Sequence, residues 1–286
     1  MKKSLLVTLA LSLVLVAAGC SKTTENTTEE VATEVEDATE AVEEDAAEAE
    51  DTAEAETAET ETEADTENAA VEGVMSYADY VAADVDTEVC VETYVQAKQA
   101  WWEDNGVGQA TFYTQNQDGA FFVYNLPCSQ EDYDKLVPGT KIKVTGFKSE
   151  WSGEVEITDA TYEIEDTDTF VADAKDVTDL LGKDELIDYQ NQFVSFKGMT
   201  VEAANDAGDA FLYKWDGSGT EGDDLYFNVS LDGNTYTFTV ESYLCDKDSD
   251  VYKAVQNLKV GDVVDMEGFL YWYEGVNPHI TSVSVQ

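Results

Sequence analysis

The chain has 286 residues, and Lys+Arg of 15 against Asp+Glu of 62 gives a formal net charge of −47. Arginine is absent, so there are few residues from which to build the cationic grooves that neutralise nucleic-acid phosphates, and the charge balance argues against nucleic acid as a partner. One histidine and no CxxC pair leave no ligand set for zinc or a redox centre, and no spacing implies a matched acid, base or nucleophile, so neither a cofactor nor an enzyme activity is expected.

At the N-terminus, Met1, Lys2 and Lys3 form a short positive segment, and Leu5 to Val16 an apolar run too short to span a bilayer. The Ala17-Ala18-Gly19-Cys20 sequence that closes it resembles the lipobox of bacterial lipoproteins, with Ala17 where that family more often has Leu. The resemblance implies that residues 1–20 are a signal peptide and that Cys20 becomes the lipidated N-terminus. The chain would then be extracytoplasmic and lipid-anchored to the cell membrane, with Ser21 permitting outer-membrane sorting in a cell that has one. An ordinary secretory signal cut nearby is the alternative. Residues 21–73 are almost only Thr, Glu, Ala, Asp and Val, with no aromatic residue; a stretch that cannot bury a core and repels itself is expected to be a disordered acidic stalk.

The remainder is organised by a repeat. Glycines fall seven residues apart at Gly139, Gly146 and Gly153, and again at Gly261, Gly268 and Gly275. Between the first two of each set the residues alternate, with Ile142 and Val144 answered by Val264 and Met266, the period of a half-buried strand. Each run closes on a glycine before an aromatic, Phe147 or Phe269, as in a strand that bends or bulges. Both copies therefore predict a β-hairpin with an aromatic-bearing tip. Ahead of the first copy stand a long strand around Val89 to Val95, a hairpin turned at Asn116-Gln117-Asp118-Gly119, and a short helix capped by Ser129. Ahead of the second stand Phe193 to Met199, a hairpin around Asp232-Gly233-Asn234, and a helix from about Asp248 to Leu258.

Strand, hairpin, helix, hairpin, in that order twice, resembles the OB-fold. The reading is all-β with short helices: two tandem OB-fold-like five-stranded β-barrels after the stalk, at 74–166 and 167–286. In OB barrels the loop between strands one and two and the loop between strands four and five flank the ligand face. The resemblance places Trp101, Trp102 and Trp151 on those loops in the first domain, and Tyr213, Trp215, Tyr271, Trp272 and Tyr273 in the second. With Glu103, Asp104, Gln109, Glu150, Asp216 and Glu274 nearby, these aromatics suit stacking on a carbohydrate or caging of a cationic ligand. The alternative is that they pack on the barrels or dock a protein partner, which would make the chain a structural or adaptor protein of the cell envelope. The expected role is a non-catalytic binding module.

Two weaker sites remain. Asp246, Asp248 and Asp250 have the alternate spacing of a calcium loop, but Val251 and Asn257 stand where such a loop needs glycine and glutamate, and capping of the following helix accounts for the acids equally well. Beyond Cys20 there are Cys90, Cys128 and Cys245, which allow one bridge, with Cys90 to Cys128 the easiest pairing within a domain. His279, before the last strand, reads as a surface or edge residue.

Overall fold

In the computed structural model, residues 73–286 are described; the signal-like segment, Cys20 and the acidic stretch as far as residue 72 lie outside them. Helix α1 (Tyr77–Ala82) leads into β1 (Glu88–Lys98), β2 (Trp102–Asp104), β3 (Val107–Gln115), β4 (Ala120–Pro127), helix α2 (Gln130–Lys135), β5 (Thr140–Trp151) and β6 (Glu154–Thr169). The second half runs through β7 (Lys175–Asp176), two 3-10 turns, β8 (Phe193–Glu202), β9 (Leu212–Tyr213), β10 (Leu225–Leu231), β11 (Asn234–Val240), helix α3 (Asp250–Gln256), β12 (Val263–Phe269) and β13 (His279–Val285).

Each half closes on itself. In the first, β1 pairs antiparallel with β3 and β5, β3 with β4, and β5 with β6, while β4 and β6 close the ring in parallel. In the second, β8, β10, β11, β13 and β12 repeat that circuit, again with one parallel closure, Thr239 opposite His279. Five strands in the order one-two-three-five-four with a helix between the third and fourth are the OB-fold, twice.

Alternation explains the walls. Val89, Val91 and Val95 of β1 point inward with Phe112, Val123, Ile142 and Ile157, and Phe196, Phe227, Phe238, Val264 and Ile280 fill the second barrel. A helix packs on each barrel, through Tyr133 of α2 and the buried face of α3. Ser129 caps α2 by accepting from Asp132 N at 3.0 Å, and Leu136 behind it is buried; Ser249 caps α3, which buries Val251, Tyr252 and Val255. The matched glycines are sites of close approach: a Cβ on Gly146 would meet Thr158 O at 2.7 Å, and one on Gly268 would meet His279 O at 2.2 Å. The strand register shifts at both places, so each is a bulge that lets the barrel wall turn.

Helix α1 is held to the first barrel by Lys148. Its buried Nζ donates to the carbonyls of Tyr80, Val81 and Ala83 at 3.0, 2.9 and 2.7 Å, and Tyr80 stacks edge-on against Phe121. A cation on the last carbonyls of a helix satisfies orphan acceptors and opposes the negative end of its dipole.

The two barrels lie in one compact unit and share a seam. Tyr113, Phe122 and Phe269 form a third buried apolar cluster, with ring centroids 4.6 Å apart for Tyr113 and Phe269 and 5.4 Å for Phe122 and Tyr271. Polar contacts surround it: Gln115 Oε1 accepts from Phe193 N at 2.8 Å, Asn191 Nδ2 donates to Val155 O at 2.9 Å, and Glu274 N donates to Ser152 O at 2.7 Å. Glu154 is wholly buried there. Its Oε2 accepts from Trp272 N at 2.8 Å while its Oε1 has no partner, and burial pushes its pKa up to about 8. Burial also raises Glu156 to about 7.

Two sequence expectations are corrected. Cys90 and Cys128 are not bridged; Cys90, Cys128 and Cys245 are free thiols. Cys90 stands on the outward side of β1, between inward-facing Val89 and Val91, whereas Cys128 sits in the core, so the wall of the barrel separates them. His279 is buried, not an edge residue: its Nδ1 lies 2.6 Å from the Tyr113 hydroxyl across the seam, and burial lowers its pKa to about 3.

These shifts predict a stability maximum. An acid whose pKa is raised on folding stabilises fully below about pH 4.5 and loses that contribution as pH rises through its folded value, here about 7 to 8. A histidine lowered on folding works the other way, costing stability as pH falls below about 6.5. The two acids begin to lose their contribution above about pH 4.5 and together outweigh the one histidine, so stability should peak near pH 4.5–5 and, between pH 6.5 and 8.5, fall by about 2–3 kcal/mol, read as a melting midpoint several degrees lower. Glu154→Gln should remove more than half of that fall; an unchanged slope in the variant contradicts the assignment. Intact-mass measurement of a Cys20→Ser variant under non-reducing conditions should count three free thiols, and a loss of two hydrogens would contradict the separation of Cys90 from Cys128.

Candidate functional site

The seam leaves a cleft of about 1140 Å³ between the barrels. The first barrel contributes Trp102 from β2, the short strand in the connection between β1 and β3, Phe122, Tyr124 and Asn125 from β4, and Trp151 from the β5–β6 tip. The second contributes Trp215 from the loop before β10, Tyr226 from β10, Tyr243 after β11, and Tyr271 and Tyr273 from the loop before β13. Each barrel thus presents its third strand or the residues after it together with the two loops that flank an OB ligand face, and the two faces meet.

Local packing decides which aromatic rings are available. Trp101 is not: its Nε1 donates to Cys128 O at 3.0 Å and its ring fills the space over Gly108, where a Cβ would come within 2.2 Å. Trp102, next along, points away from the core and is 44% exposed. Tyr213 packs on the second core with its hydroxyl accepting from Gln256 Nε2 at 2.9 Å. Trp215, two residues on, is 74% exposed at the cleft rim. Trp272 packs against the second core and over Gly153, while its neighbours Tyr271 and Tyr273 line the cleft. Of the eight aromatics singled out from the sequence, Trp102, Trp151, Trp215, Tyr271 and Tyr273 converge; Trp101, Tyr213 and Trp272 serve the fold. Sequence reasoning missed Tyr124, Tyr226 and Tyr243. The signal for Tyr226 and Tyr124 was strand alternation, which puts both on outward faces but does not say that a second barrel stands opposite.

The rings sit in pairs. Trp151 and Tyr273 meet at 5.1 Å across the seam, Phe122 and Tyr124 stack at 6.5 Å, and Tyr271 lies at 4.2 Å and 22° over His279. The Tyr113 hydroxyl and His279 Nδ1 share a hydrogen bond, and the imidazole, kept unprotonated by burial, is a neutral floor beneath Tyr271.

Polar groups are few. Gln99, Asn125 and Asn277 supply amides, and Glu241 and Glu274 supply carboxylates. Glu241 accepts from Tyr243 N at 3.0 Å and Leu244 N at 2.8 Å, which fixes its orientation, yet burial pushes its pKa up to about 7. No lysine lines the cleft. Four lysines of the first barrel are committed elsewhere: Lys141 to Glu92 and Glu165 at 2.9 and 3.1 Å, Lys143 to Glu163 at 3.1 Å, Lys148 to the end of α1, and Lys98 to Tyr133 O and over the Tyr133 ring.

The acids of the calcium reading serve the α3 cap. Asp246 Oδ1 accepts from Asp248 N at 2.9 Å, Asp246 O accepts from Ser249 Oγ at 2.7 Å, and Asp250 opens the helix. Among the described residues no group of three or more His, Cys, Asp or Glu converges on a metal position.

No protein-family model matches the chain, and no curated protein matches it. Among solved structures it is similar to the tetrameric p202 HIN2 domain, at 12% identity and a TM-score of 0.30, over 71% of this chain and 96% of that one. A murine DNA-binding protein bound to double-stranded DNA matches at 10% identity and a TM-score of 0.33, over 69% and 94%. A Replication Protein A heterotrimer bound to single-stranded DNA matches at 13% identity and a TM-score of 0.31, over 76% and 51%. Two of these structures hold DNA, and whole-chain charge does not exclude nucleic acid as a partner of this chain, contrary to the expectation from composition. That count included carboxylates outside the barrels and buried acids whose pKa is raised toward neutrality, and it left out stacking on aromatic faces, which needs no charge.

Proposed function

We propose that this chain is a non-catalytic binding module, lipid-anchored at the cell envelope through Cys20, whose aromatic cleft takes a carbohydrate. The observation that carries the reading is the convergence of aromatic rings from both barrels, Trp102, Tyr124 and Trp151 with Trp215, Tyr226 and Tyr273, on one concave site. Sugar rings offer apolar C–H faces to stack on aromatics and hydroxyls to meet amides and carboxylates, and the cleft holds both kinds of group. Its concavity also favours a ligand of modest width over the flat contact a protein partner would need. The lipobox-like Ala17-Ala18-Gly19-Cys20 and the acidic stretch after it suit a barrel pair held away from a membrane.

A single-stranded nucleic acid is the second reading, carried by the stacking platform itself. Successive bases stack on such rings in OB-folds, which bind oligonucleotides as well as oligosaccharides.

A panel of soluble glycans and single-stranded oligonucleotides, titrated against the protein at low and high salt, separates the two readings. We expect salt-insensitive glycan binding; oligonucleotide binding with a steep salt slope would replace the first reading with the second. Trp102→Ala and Trp215→Ala should each weaken binding by roughly tenfold, from the loss of about 1–1.5 kcal/mol of stacking, without moving the melting temperature. Trp101→Ala, by contrast, should lower the melting temperature. Unaltered affinity in both cleft variants would remove the cleft from the account.

A further inference from the structure

Beside the cleft, on the outer face of β10 and β11, lies a second hollow of about 390 Å³. Trp215, Tyr226, Tyr273 and Asn277 line both, so the two are not separate pockets but neighbours across one aromatic ridge. The far side of the ridge has a different chemistry. Its own lining residues are Ala204, Leu212, Asn228, Thr237 and Val276, with no lysine and no carboxylate.

The polar groups there are set in place. Thr237 Oγ1 donates to Asn228 Oδ1 at 2.8 Å and Asn228 Nδ2 donates to Ala203 O at 3.1 Å, which fixes the amide and leaves its second N–H free to bond outward. On the ridge, Thr239 Oγ1 donates to Asn277 Oδ1 at 2.7 Å, which orients the Asn277 amide between the two hollows.

The loop that carries Trp215 is tied down although it is exposed. Trp215 follows Lys214, whose φ is +60°, and Lys214 N donates to Asp224 O at 2.9 Å. Asp216 Oδ1 then accepts from Ser218 N at 3.0 Å and from Ser218 Oγ at 2.7 Å. A tryptophan 74% exposed on a loop tied down in this way is displayed, since exposing that much apolar surface costs free energy that no contact among the described residues recovers.

We infer that the site takes a linear, uncharged glycan several units long, gripped along its length, with one part in the cleft, one ring over the Trp215–Tyr226–Tyr273 ridge and the chain continuing into the Asn228–Thr237 hollow. This rests on the carbohydrate reading above and extends it from a sugar to an extended polymer bound internally. A mono- or disaccharide fills only one side of the ridge, whereas a longer chain engages amides on both.

The test is isothermal titration of the full-length protein with neutral gluco-oligosaccharides and N-acetylglucosamine oligomers from disaccharide to hexasaccharide. Affinity should rise by about tenfold or more across the series. Asn228→Ala, and Ala204→Trp as a second variant that fills the hollow, should lower hexasaccharide affinity severalfold and leave the disaccharide unchanged. Affinity independent of length, or equal losses for short and long ligands in both variants, overturns the extended mode while the cleft remains a sugar site. No binding by any oligomer overturns the extended mode and the carbohydrate reading together.

Discussion

The arrangement depends on the apolar seam. Tyr113, Phe122 and Phe269 are buried between two barrels that already have complete cores of their own, and truncating a ring of this kind costs about 3–5 kcal/mol. Without that cluster each OB face would be an open, half-concave surface. With it, the two faces are held opposite one another at fixed spacing, and the aromatic rings of one complete the concavity of the other. The backbone bonds from Glu274 to Ser152 and from Ala100 to Tyr243, at 2.7 and 2.8 Å, lie at the margins of the same contact and fix its rotation.

Burying the seam has an electrostatic consequence. Glu154 and Glu156 enter it with no cation near, and desolvation is the leading cause of both raised pKa values, to about 8 and about 7. A protonated carboxyl is far cheaper to bury than a carboxylate, so around neutral pH the seam is close to charge-neutral in a chain of formal charge −47. Histidine reaches neutrality from the other side: His279 is held unprotonated beneath Tyr271. A very acidic protein thus brings two faces together by taking its carboxylates in as acids.

Much of the fold was legible in the sequence because it rests on local rules. Repeated glycines at equal spacing mark bulges that only glycine fits, at Gly146 and Gly268, and Ser129 before a short polar run marks a cap. The candidate site was half legible. Loop position pointed to Trp102, Trp151, Trp215, Tyr271 and Tyr273, but adjacent residues of one type divide between core and cleft, Trp101 from Trp102 and Trp272 from Tyr273, according to packing that no composition rule records. Tyr124 and Tyr226 were invisible as site residues because outward-facing strand positions ordinarily meet water, and Tyr243 because it lies in the turn after β11. The Cys90–Cys128 pairing failed for a related reason: nearness in a domain says nothing about which side of the barrel wall each sulfur occupies.

The most direct test of a shared cleft reads the five tryptophans separately by their indole N–H resonances during ligand titration. If both barrels grip one ligand, Trp102, Trp151 and Trp215 shift together along a single binding isotherm, while Trp101 and Trp272 stay in place. Shifts confined to the tryptophans of one barrel, or movement of Trp101 and Trp272 alone, would contradict it.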